Sequence, residues 1–228
     1  EQVLDFSSMN ADQISLHTDH VDVIKFVGDM IELHRDIFEK FNVQIEMKKP
    51  LEHEKVFIQA DYVRLQQVLS NLISNAIKFS DGERPKIQII VQTIMMFSNS
   101  SSNKEVDHVP MVRIICRDEG NGIAEKDLEK IFLPYQRSQS LKKGTGLGLA
   151  ICKSLVEAMD GQISVESKLS EWTSFCIQFP EWLGFVEDTI PPSPPTQHHQ
   201  EGLFSESAGS LEPKNGLFKD DRSNVVSR

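Results

Sequence analysis

Between residues 21 and 41 apolar side chains recur at Val23, Val27, Met30, Ile31, Ile37, Phe38 and Phe41, a spacing that predicts a helix. Val43-Gln44-Ile45-Glu46-Met47 then alternates as a strand does, and residues 56–59 form a second short strand pattern. Asp61 is well placed to cap a helix over residues 62–78, whose stripe of Leu65, Val68, Leu69, Leu72, Ile73 and Ala76 is a core face. Residues 86–93 and 111–117 are rich in β-formers. Residues 97–110 between them carry Ser and Asn without either periodicity, which predicts a long, mobile hairpin connection. Beyond Asp118 the pattern predicts a Gly-rich turn, a short helix at 125–131, a polar segment at 137–143 and a third long helix at 147–159 stopped by Gly161. Strands at 162–166 and 174–179 complete a mixed sheet. The expected class is α+β, a two-layer sandwich with a mostly antiparallel sheet and three main helices on one face.

Composition changes this picture only at the ends. Beyond about residue 183 the chain turns to Pro191-Pro192-Ser193-Pro194-Pro195 and then Gln, His, Ser and Glu, so 184–228 is expected to be a disordered tail and 21–183 the folded domain. No uncharged apolar run approaches the roughly 18 to 20 residues of a membrane span. A net charge of -10 disfavours nucleic acid as a partner, because backbone phosphates are bound by Lys and Arg. Cys116, Cys152 and Cys176 are odd in number and lie among apolar neighbours, as buried reduced thiols do.

Three segments carry chemistry. Asn71, Asn75 and Lys78 share a flank of the 62–78 helix, one turn apart, and could hold a metal and a polyphosphate. Asp118-Glu119-Gly120-Asn121-Gly122-Ile123 ends an apolar strand with a carboxylate and alternate glycines that let backbone approach a flat ligand. Gly144-Thr145-Gly146-Leu147-Gly148-Leu149 opens the third helix, offering free N–H groups to phosphate oxygens. It is neither a P-loop nor a dinucleotide fingerprint.

The order of these segments resembles one family. Asn71 to Ser80 looks like the N box of histidine kinases, Asp118 to Ile123 like their G1 box, Ile131-Phe132-Leu133-Pro134-Tyr135 like the F box, and Gly144 to Leu149 like the G2 box. The resemblance covers residues 21–180, and Val3-Leu4-Asp5-Phe6-Ser7 looks like the exit from a dimerisation helix, making 1–20 the end of that helix and a linker. It implies the Bergerat ATP fold shared with gyrase B, heat-shock chaperone and mismatch-repair ATPases. Asp118 would bind the adenine amino group, with Gly120, Gly122 and Ile123 beside it. Asn75 would ligate Mg²⁺, and Asn71 and Lys78 would approach the phosphates. Arg137, Lys142 and Lys143 would offset charge on the γ-phosphoryl. The amides of Gly144, Thr145, Gly146, Leu147, Gly148 and Leu149 would hold the triphosphate.

Related ATPases carry a Glu four residues before the metal-binding Asn. Here that position is Asn71, an amide that cannot act as a general base, so transfer is expected over hydrolysis. The resemblance therefore implies ATP and Mg²⁺ as ligands and a histidine kinase activity. The acceptor histidine would lie on a dimerisation domain of the same protein, a homodimer at full length, with a response-regulator receiver domain as a further partner. The setting would be cytoplasmic, within a membrane-anchored sensor. No histidine here fits the family's H box. His34-Arg35-Asp36 mimics a eukaryotic kinase loop but reads as helix surface, and His17 with His20 as solvated linker.

One segment departs from the pattern: Ser170-Glu171-Trp172-Thr173-Ser174 replaces the usual Gly-x-Gly-Ser/Thr turn. Ser174 is the expected hydroxyl of the adenine side, and Trp172 could crowd the pocket. That departure motivates a rival, an ATP-sensing or scaffold domain without transfer. A dehydrogenase-kinase-like serine kinase ranks after it.

Overall fold

A computed structural model of the chain describes residues 15–51, 54–80, 85–99, 106–136 and 145–184, all within one compact unit, Glu1–Phe185. The residues 1–14, the whole polar segment at 137–143 and the expected tail beyond Gly184 lie outside the described residues.

The first element among the described residues is strand β1 (Thr18–Asp22), followed by helices α1 (Val23–Leu33) and α2 (Arg35–Lys40). The helix expected over 21–41 is thus two helices, broken at His34, whose φ of -98° and ψ of 7° leave the helical region. Asp22 caps α1 by accepting from the Ile24 and Lys25 amides at 3.1 and 3.2 Å, and Val23, Phe26, Val27 and Met30 turn inward. Strands β2 (Gln44–Lys48) and β3 (Phe57–Asp61) lead to α3 (Tyr62–Phe79), whose six-residue stripe is fully buried as its spacing requires.

Strands β4 (Lys86–Asn99) and β5 (Val106–Asp118) are longer than expected. Much of the supposed 97–110 connection is ladder, paired out to Asn99 and Val106. A two-stranded ribbon satisfies its backbone without a buried face, so it shows none of the alternation that marks a core strand. The chain continues through α4 (Glu125–Leu128), α5 (Gly148–Ala158), β6 (Gln162–Lys168) and β7 (Trp172–Pro180). No helix among the described residues is long and apolar enough to cross a membrane.

The main sheet has five strands in the order β2-β4-β5-β7-β6, with only β2 and β4 parallel. Register rows such as Ile89, Cys116 and Phe175, and Val91, Ile114 and Ile177, face the helices and are buried. The opposite face carries Arg113, Arg117, Gln162 and Gln178. This is the expected two-layer α+β sandwich.

Residues 18–20, read from sequence as linker, and 21–22, read as the start of the first helix, pair antiparallel with β3 in a small second sheet. The residues after β7 join its other side: Glu181 bridges Ile58, the Trp182 amide donates to the Phe57 carbonyl at 2.8 Å, and the indole stacks on His20. Asp61 links this sheet to α3. One carboxylate oxygen accepts from the Arg64 amide at 3.1 Å as helix cap, and the other from the His17 amide at 2.8 Å. Replacing Asp61 with Ala should cost about 1 to 2 kcal/mol in urea denaturation, the usual value of a lost cap, and Asp61→Ser, which keeps a capping oxygen, should lose less.

Candidate functional site

Three buried polar side chains are found among the described residues: Asp61, Asp118 and Thr173. Burial of such groups is tolerated when they find partners. Asp61 has its two amides. Thr173 shares a hydrogen bond with Ser167 across 3.1 Å, and the Ser167 hydroxyl donates to the Trp172 carbonyl at 2.7 Å while accepting from the Ile123 amide at 2.8 Å. Asp118, only 3% exposed, has Oδ1 without a hydrogen-bond partner. Burial pushes its carboxyl up to about 7, against the opposing pull of its own backbone amide and of Arg117.

The position follows from strand alternation. Asp118 aligns with Ile87 on one side and Thr173 on the other, so its side chain extends the apolar rows on the helix-facing side. Two glycines then bring the walls in. Gly120 bridges Ser80 at the end of α3, and a Cβ on it would strike the Phe79 carbonyl. Gly122, at φ +61°, lies against the backbone of Lys168 and Leu169 in the β6–β7 turn, a place closed to any side chain. The Asn121 amide donates to Phe79 O at 3.1 Å and the Ser170 amide to Asn121 O at 2.8 Å. The end of the N-box-like helix and the last hairpin therefore meet at the turn that follows Asp118.

The phosphate side lies along α3 and α5. Asn71 and Asn75 are half-buried one turn apart, and the Asn75 carboxamide makes no hydrogen bond among the described residues. Lys78 is exposed, its ammonium 4.6 Å from the Phe79 ring centre. Thr145, Gly146, Leu147, Gly148 and Leu149 form the approach to α5 and its first turn, with Leu147 buried and Gly146 at φ +72°. The Tyr135 amide donates to Gly146 O at 2.9 Å, which ties the end of the F-box-like segment to the start of the G2-like one. Arg137, Lys142, Lys143 and Gly144 lie outside the described residues.

A profile of the histidine kinase-, DNA gyrase B- and HSP90-like ATPase family matches residues 60–183. The chain belongs to this family. Autoinducer 2 sensor kinase/phosphatase LuxQ of Vibrio vulnificus (strain YJ016) is 30% identical over 229 residues, 98% of this chain and 24% of LuxQ. Histidine kinase 5 of Arabidopsis thaliana is 37% identical over 145 residues, 58% of this chain and 16% of that protein. The catalytic domain of histidine kinase ThkA superimposes with a TM-score of 0.57 at 27% identity, covering 72% of this chain and 98% of that domain. Full-length ShkA in complex with AMPPNP gives 0.63 at 26% identity, covering 79% and 34%. The chain spans about a quarter or less of the length of these curated relatives. Its relatives are sensor histidine kinases, and its structural neighbours include the catalytic domain of one.

Within this ATPase family domain one expected residue is not brought to the site. Ser174 aligns with Arg117 and Glu166 on the opposite sheet face, so its hydroxyl points away from Asp118; Thr173, one residue earlier, takes the inward place. The buried alternation of Phe175, Ile177 and Phe179 carried that signal in the sequence. Trp172 shares the outer face, where Arg117 lies 4.2 Å from the indole centre. The indole does not crowd the pocket.

The buried carboxylate has a stability consequence. Its proton is held more tightly in the folded chain than in the unfolded one, so stability falls as pH rises from about 4 to about 7. Asp118→Asn removes that ionisation cost. In the ligand-free chain its gain in stability over wild type should grow across this window, by up to about 1.4 kcal/mol per pH unit, and level off above it in thermal melts.

Proposed function

We propose that this domain binds Mg-ATP and transfers the γ-phosphoryl group to a histidine on a separate dimerisation domain, as the catalytic module of a two-component sensor. The unpartnered, buried Asp118 Oδ1 carries this reading. An orphaned acceptor at the end of an apolar row fits a ligand with a flat ring and one exocyclic N–H donor, which is the edge that adenine offers. The bound AMPPNP of the ShkA neighbour supports the same ligand class.

The chain's own groups then divide the work. Asp118 accepts from the adenine amino group, while Ile123, Ser167 and Thr173 hold the wall beside it. The free carboxamide of Asn75 offers an oxygen to Mg²⁺, and Asn71 and Lys78 lie along the phosphates. Mg²⁺, when bound, would supply charge neutralisation across the phosphate oxygens. The α5 start, from Thr145 to Leu149, presents N–H groups to the triphosphate with the helix dipole behind them. Arg137, Lys142, Lys143 and Gly144 fall in the sequence between Tyr135 and Gly146, which are joined by a hydrogen bond, and the three cations would offset charge on the γ-phosphoryl. Because Asn71 stands where hydrolases place a general base, water is not activated and the acceptor imidazole supplies the nucleophile.

The outcome to measure is label transfer. With γ-labelled ATP, this chain and its upstream dimerisation domain, label should appear on that domain in an acid-labile form, and Asp118→Asn should weaken nucleotide binding by about a hundredfold in calorimetry, as loss of a buried charged acceptor does. Nucleotide binding without label on the domain would select the ATP-sensing rival instead.

A further inference from the structure

Cys152 has no part in the reading above, yet it is the residue that holds Asn71. Gly148 and Cys152 lie one turn apart on the face of α5 that packs against α3. Gly148 leaves the space: an added Cβ would sit 2.6 Å from Asn71 Oδ1 and 2.9 Å from Nδ2. Cys152, 1% exposed, supplies the partner, since Asn71 Nδ2 donates to its Sγ at 3.0 Å. The same sulfur faces the Val68 carbonyl at 3.8 Å.

The direction of this short chain follows from which atoms own protons. Cys152 is buried, and its neutral thiol has one hydrogen to place. The Val68 carbonyl can only accept, and the S–H therefore points to it. The sulfur meets Asn71 with lone pairs, which only the NH₂ end of the carboxamide can satisfy. Turned over, Oδ1 would face a sulfur with no proton left to give.

We propose that Cys152 is a positioning residue that holds the Asn71 carboxamide with its nitrogen toward Cys152 and Oδ1 toward Gly148 at the start of α5, the phosphate and cation side of the nucleotide site. A hard cation or its bound water takes oxygen and has no use for an NH₂ group. The inference rests on the proposed nucleotide site and deepens it. It converts Asn71 from a residue near the phosphates into one whose amide has a set direction, and it assigns that direction to a residue just past the G2-like segment.

Three replacements separate volume from hydrogen bonding. Ser keeps a hydroxyl that can donate to Val68 and accept from Asn71, Val fills the space without lone pairs, and Ala does neither. In the nucleotide-free chain, proton exchange at the Asn71 carboxamide, read by nitrogen-15 NMR, should speed up about tenfold in Cys152→Val and stay near wild type in Cys152→Ser. AMPPNP affinity in the presence of Mg²⁺ should fall about tenfold in Cys152→Val, and affinity without Mg²⁺ should not change. Equal exchange in Val and wild type, or an equal loss with and without Mg²⁺, overturns the proposal. If the Val variant does not fold, Ala against Ser decides: Ala weakened with Ser at wild-type values supports the role, and equal values overturn it. Should the wild-type chain bind neither form of AMPPNP, the proposed function fails, while carboxamide exchange still tests the positioning.

Discussion

A carboxylate placed in an apolar row must be desolvated on folding, and the protein around Asp118 is organised by that demand. Ile87, Asp118 and Thr173 continue the rows that elsewhere read Ile89, Cys116, Phe175. A residue at a strand end would ordinarily reach water. Here two glycines draw the end of α3 and the last hairpin over it, so close that the walls are backbone. Desolvation raises the carboxyl toward neutrality, and the unpaired Oδ1 marks a site whose hydrogen-bonding capacity is held open at the expense of stability.

Helix α3 reaches the site along its length. Its start is capped by Asp61, which also holds the His17 amide; its flank carries Asn71 and Asn75; its end bridges Gly120. Packing of α3 against α5 brings the first turn of the second helix to the same flank. The buried stripe of α3 fixes its rotation, and that rotation sets where the two carboxamides point.

The parts legible in the sequence were those with a buried face or a run of motif residues. The α3 stripe from Leu65 to Ala76 and the cap at Asp61 were readable because periodicity and capping are local. Asp118 was readable because a charged residue closing the apolar run 111–116 calls for an explanation. Thr173 was missed because the family's Gly-x-Gly-Ser/Thr turn pointed to Ser174, although Phe175, Ile177 and Phe179 define the inward parity and give that place to Thr173. β1 was missed because Thr-Asp-His-Val-Asp carries one buried residue, Val21, and so has no pattern to detect. The ribbon of β4 and β5 was missed for the same reason, since backbone pairing sustains it without a buried face. The Cys152–Asn71 contact joins residues 81 apart, which no local pattern encodes.

Strand β3 has partners along both edges: β1 on one side, and Glu181 with Trp182 on the other. A shortened chain that ended at Pro180 would keep every strand of the main sheet yet bare the Ile58 edge and leave His20 without its indole. Unpaired strand edges recruit foreign strands. Trp182 is therefore the earliest sensible stopping point for anyone trimming the tail, and solubility of the shortened protein hinges on two residues that belong to neither sheet's named strands.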